Sequence, residues 1–102
     1  MFNFSFSTEF INQSTINSNR VYGEAIFNRG AVTIINIDEA SVEAWVGGLD
    51  GKVIEGGGSK RRVEFVFDKS ELKWKCTGNP KNHQIFCKHC VALALYLNQN
   101  DL

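Results

Sequence analysis

Arg62-Val63-Glu64-Phe65-Val66-Phe67-Asp68-Lys69-Ser70-Glu71-Leu72-Lys73-Trp74-Lys75-Cys76 is the stretch on which the fold class turns. Val63, Phe65 and Phe67 alternate with Arg62, Glu64 and Asp68. After Asp68-Lys69-Ser70 the alternation resumes, with Leu72, Trp74 and Cys76 on one face and Lys73 and Lys75 on the other. Successive side chains of a strand point to opposite faces, so this period of two reads as a hairpin with one apolar and one charged face.

Working outward, residues 31–37 and 41–46 form a second pair of β-rich runs around Asp38-Glu39-Ala40, whose residue types suit a hairpin connection. Two consecutive hairpins imply an antiparallel meander. Between them, residues 47–59 contain six glycines and read as a loop, with room for a short strand at Lys52–Glu55. The Gly56-Gly57-Gly58-Ser59-Lys60 run lacks the full order of a phosphate loop and a helix after it, so it is read as a hairpin connection.

The ends of the chain read differently. In residues 88–98, Cys90, Val91, Ala94, Leu95 and Leu97 leave few polar positions, which predicts a largely buried helix. Residues 16–28 place Ile16, Val21, Tyr22, Ala25 and Ile26 near a 3.6-residue spacing, predicting a helix with Ser14 or Asn17 as its N-cap. Residues 8–12 suit a single helical turn. Phe2, Phe4 and Phe6 alternate with polar residues and suggest a short strand. The expectation is one α+β domain over residues 1–102: N-terminal helix and antiparallel β-meander over 16–75, then a loop and C-terminal helix over 76–98.

Composition is that of a globular chain, with 43% apolar and 12% aromatic residues among 102. A core of this size stabilises modestly, so a structural metal would add materially to it. The first ten residues lack a basic segment followed by an apolar run, so no signal peptide is read there. The longest apolar run, Cys90 to Leu97, is eight residues against the roughly 20 needed to span a bilayer. The expectation is a cytoplasmic chain, or a nuclear one in a eukaryote, with no membrane partner.

The residues that carry chemistry are clustered. Three cysteines and both histidines fall between Cys76 and Cys90, as Cys76-x6-His83-x3-Cys87-x-His89-Cys90. An odd number of close cysteines is a poor disulfide framework, whereas thiolate and imidazole are the ligands of tetrahedral zinc. Cys76 closes a strand, His83 and Cys87 lie in a loop, and His89 opens a helix, so the loop can bend its donors around one ion. The alternatives are a cluster of buried cysteines with two surface histidines, and a Cys87–His89 nucleophile pair. The short chain leaves little room for a substrate pocket, and no enzyme is read.

Cys87-Lys88-His89 followed by Cys90-Val91-Ala92-Leu93-Ala94-Leu95 resembles the second half of a SWIM-type zinc finger, whose pattern is C-x-C, a variable loop, and C-x-H leading into an apolar helix. Arg20-Val21-Tyr22-Gly23-Glu24-Ala25 is similar to the segment preceding the finger in bacterial members. The first pair departs from the family, since Cys76 has no cysteine two residues away. The resemblance then implies a Zn2+ site of Cys76, His83, Cys87 and His89, with His83 replacing the missing ligand. Cys90 stands where the family carries an apolar helix residue, which implies core packing, with ligation in reserve. A finger that has lost its metal is the alternative.

Charge is neutral overall but uneven. Residues 1–59 hold three Lys and Arg against seven Asp and Glu, and residues 60–88 hold eight against three. Lys60, Arg61, Arg62, Lys73 and Lys75 form a candidate basic stripe for phosphate contacts, or else a solvated strand face. Trp45 is either a stacking platform or, as expected, buried against the N-terminal helix. The resemblance implies an accessory domain that binds nucleic acid, DNA first, within a remodelling, helicase or transposase-type protein. The alternative is a protein–protein interaction module or adaptor.

Overall fold

The two hairpins form as their alternation requires. In the computed structural model, which describes residues 2, 4–47, 60–77 and 86–100, the strands are β1 (Val32–Ile37), β2 (Ser41–Val46), β3 (Arg61–Asp68) and β4 (Glu71–Cys76). They make one antiparallel sheet in the order β1-β2-β3-β4. Three helices accompany it: α1 (Thr8–Ser14), α2 (Asn17–Asn28) and α3 (Lys88–Gln99). The architecture is α+β, with the helices and sheet sharing one apolar core. The expected loop strand at Lys52–Glu55 lies outside the described residues.

Turn chemistry sets the register. Asp38 Oδ1 accepts hydrogen bonds from the backbone N–H groups of Ala40 and Ser41, each at 2.8 Å, which closes the first hairpin. Those bonds, Ala40 first, hold the Asp38 carboxyl below its usual range. Lys69 and Ser70 both have positive φ, 52° and 64°, the left-handed pair that a two-residue hairpin turn matching strand twist requires. A bulge between Ile34 and Asn36 puts Ile35 out to solvent and restores Ile37 to the inner face opposite Val42.

The inner face of the sheet carries Val42, Ala44, Val46, Val63, Phe65 and Cys76, all buried, and α3 packs against it. α3 buries seven of its residues, His89 to Ala94 and Leu97. The all-round apolar pattern of 88–98 thus reads out as a core helix.

Three expectations are corrected. Among the described residues of the expected N-terminal strand, Phe2 and residues 4–6, none lies in a strand; Phe6 N–H donates to Asn98 Oδ1 and Asn98 Nδ2 donates back to the Phe6 carbonyl. The Phe4 and Phe6 rings enter an aromatic cluster with Phe10, Phe65, Phe67 and Phe86. Alternation came from packing on the core, without a neighbouring strand.

The second correction concerns α2. It buries Gly23 and Ile26, whereas Ile16, Val21 and Tyr22 are about half exposed. A Cβ at Gly23 would stand 2.5 Å from Val91 Cβ, so the missing side chain is what lets α2 approach α3. Contact through glycine has no hydrophobic signature, so among the spaced residues only Ile26 is fully on the buried face. The helix N-cap is Ile16, without a side-chain cap bond, in place of Ser14 or Asn17. Third, Trp45 is exposed on the outer face of the sheet and not buried against a helix.

Candidate metal centre

Cys76 is the last residue of β4, paired with Val63, and its place on the inner face follows from the alternation with Lys75. Cys87 is the N-cap residue of α3, with extended backbone. His89 and Cys90 lie in the first turn of that helix. The donor atoms of Cys76, Cys87 and His89 all lie within 4.8 Å of one another, a group that could hold a metal ion.

The spacing suits a small tetrahedral ion. With metal–sulfur bonds of about 2.3 Å, the edge between two sulfurs of a tetrahedron is about 3.8 Å. Cys87 Sγ stands 4.0 Å from His89 Nδ1 and 3.7 Å from Cys90 Sγ. The three donors of Cys76, Cys87 and His89, all within 4.8 Å, are near enough to share one ion. The electrostatics agree with the geometry. Hydrogen bonds from the Cys76 and Cys90 thiols, with a smaller one from His89, hold the Cys87 thiol far below its ordinary value. Burial, reinforced by the Cys76 and Cys87 side chains, pushes the Cys90 thiol well up.

What fixes Cys87 is the residue before it. The Phe86 N–H donates to the Ser14 carbonyl at 2.7 Å, and the Phe86 carbonyl accepts from Thr15 Oγ1 and from Asn19 Nδ2, the latter at 3.1 Å. The Phe86 ring is fully buried, stacked on Phe65 and edge-on to Trp74 at 4.6 Å. The junction of α1 and α2 therefore clamps the chain just where it enters the cluster. Ser14, Thr15 and Asn19 gave no signal in the sequence, since their partner lies 67 or more residues away.

His83, the expected fourth ligand, lies outside the described residues. Cys90 is fully buried, in contact with Cys87 through sulfur. The Cys87-x-x-Cys90 spacing at a helix start was legible in the sequence and went unread as a pair.

The five residues of the candidate stripe, Lys60, Arg61, Arg62, Lys73 and Lys75, are all exposed but not equivalent. Arg62 forms an ion pair with Glu43 on the neighbouring strand, Lys75 sits opposite Glu64, and Lys73 sits opposite Val66. Lys60 Nζ lies 5.0 Å over the Trp45 ring, and Arg61 is at the sheet end opposite Val46. The outer face is thus a mixed-charge surface around an exposed tryptophan. Among the described residues no helix is long and apolar enough to cross a membrane.

Comparison of the chain with protein-family models, with curated proteins and with solved structures finds no match.

Proposed function

We propose that this chain is a zinc-stapled accessory domain of SWIM type whose sheet binds nucleic acid, DNA in the first instance. Zinc is held by Cys76, Cys87, His89 and His83, and its role is structural: four protein ligands leave no open position for chemistry. The observation that carries the reading is the convergence of Cys76, Cys87 and His89 from a strand end and a helix start. Cys87-Lys88-His89 running into the apolar α3 supports the family assignment.

The nucleic-acid half rests on the outer face of the sheet. Trp45 is exposed beneath the Lys60 ammonium, with Lys73 and Lys75 two strands away. An aromatic platform flanked by cations suits base stacking with phosphate contacts. The second reading, a protein-interaction module, is favoured by Glu43 and Glu64 on the same face, which offset part of the positive charge.

Two measurements test this. Elemental analysis of protein purified without chelator should find about one zinc per chain, as expected of a four-ligand structural site. A salt titration of single- and double-stranded DNA binding should give a negative slope of log affinity against log salt. Lys73→Glu with Lys75→Glu should lower that slope by about 1.5 if both contact phosphate. A folded double variant that binds as the parent does removes the stripe. A parent that binds no nucleic acid leaves the protein-interaction module.

A further inference from the structure

We infer that Cys87 and Cys90 form a reversible intramolecular disulfide, a redox-modification site that competes with the metal for the Cys87 sulfur. The competition rests on the metal reading above; the disulfide itself does not.

The geometry carries it. The two sulfurs stand 3.7 Å apart across the first turn of α3, and a disulfide needs about 2.05 Å. Residues three apart on a helix already face one another, so side-chain rotation supplies most of the approach. Exposure divides the roles. Cys87 is only partly buried, so an oxidant reaches it, whereas Cys90 is fully buried and can act only on its neighbour. Cys76, whose donor atom also lies within 4.8 Å of the Cys87 sulfur, is the competing partner, but it belongs to a separate element, β4, whereas Cys90 shares the first turn of α3 with Cys87.

A hydroperoxide is the oxidant class the pair suits. The Cys87 sulfur attacks the peroxide oxygen, the O–O bond breaks, and the alcohol (water, for hydrogen peroxide) leaves with a proton. Cys87 is then a sulfenic acid. The Cys90 sulfur attacks the Cys87 sulfur, the S–S bond forms, the S–O bond breaks, and the hydroxide leaves as water with the Cys90 proton. The two cysteines have together lost two electrons, and the peroxide has gained them. A sulfur in a disulfide is no longer a thiolate ligand, so the centre loses one donor and releases its ion. A dithiol reductant reverses the step by exchange.

The experiment uses the full chain, with zinc content measured first, then titrated with hydrogen peroxide while free thiols, zinc release and peptide masses are followed. The result expected is a fall from the three free cysteines to one, with Cys87 bridged to Cys90 and zinc released in step. Dithiothreitol with added zinc should restore both. In Cys90→Ala the bridge should be lost and Cys87 should react with a sulfenic-acid probe, a result that does not depend on zinc. A bridge mapped to Cys76, or three intact thiols at peroxide levels that oxidise free cysteine, overturns the proposal. The same mapping on chelator-treated protein separates the two ideas. Protein without zinc from the outset removes the metal reading and the competition, while a Cys87–Cys90 bridge in it still upholds the pair.

Discussion

Gly23→Ala should destabilise this protein, although an alanine inside a helix ordinarily stabilises it. The helix term alone favours alanine by about 0.5–1 kcal/mol. Against it, the new Cβ would meet Val91 Cβ and Cγ1 at 2.5 Å and the Lys88 carbonyl oxygen at 2.9 Å. Carbon atoms sit comfortably at about 3.5–4.0 Å, so α2 and α3 would have to part by about 1 Å. Rotating Val91 gives no relief, because its Cβ is fixed to the backbone. Overpacking of this kind costs about 1–3 kcal/mol, and a fixed carbon plus a backbone oxygen place Gly23 at the upper end. The net expectation is a loss of about 2 kcal/mol, or a fall in Tm of about 8–16 °C for a domain near 100 residues.

Parting the helices also moves the first turn of α3, which carries His89 and follows Cys87. Metal affinity should therefore fall along with stability. Thermal unfolding by circular dichroism and a competitive chelator titration measure the two effects. In a Val91→Gly background the same Gly23→Ala change should cost less, because only the Lys88 carbonyl contact at 2.9 Å remains. A Gly23→Ala protein at least as stable as the parent would refute the close approach of α2 and α3.

Cys87→Ser and His89→Ala should each lose the metal and unfold the C-terminal third, because a structural ion contributes folding free energy directly; elemental analysis and circular dichroism check both. Cys90→Ala should keep the metal with a packing loss of about 1–3 kcal/mol, whereas His83→Ala should lose the metal; the reverse pattern by elemental analysis makes Cys90 the fourth ligand. Asn19→Ala frees one donor of the Phe86 clamp, so stability should fall by about 1 kcal/mol in denaturant titrations and metal affinity should weaken with it.

Much of the architecture was written in local pattern. The period-two alternation of Val63, Phe65 and Phe67 and of Leu72, Trp74 and Cys76 sufficed for the second hairpin, down to the outward Lys73 and Lys75. Strand periodicity is a property of adjacent residues, and so are turn types, which is why Asp38-Glu39-Ala40 and Asp68-Lys69-Ser70 were legible too. The apolar run of α3 announced burial on every side. The cysteines and histidines declared a metal-binding composition, and three of the four expected ligands do converge.

Tertiary structure alone decided what depends on distant neighbours. The Phe2–Phe6 alternation fits a strand equally well, and only Asn98 and the aromatic cluster hold its described residues, none of them in a strand. The buried face of α2 is set by a glycine against Val91, where the signal is the absence of a side chain. Trp45 is exposed because its strand parity points it away from the helices, and an aromatic residue by itself does not say which face of a sheet is covered. The clamp on Phe86 joins residues 67 to 72 positions apart, so no window of sequence contains both partners. Local chemistry specified which side chains could bind a metal, and long-range packing specified that Cys76, Cys87 and His89 stand near enough to share one.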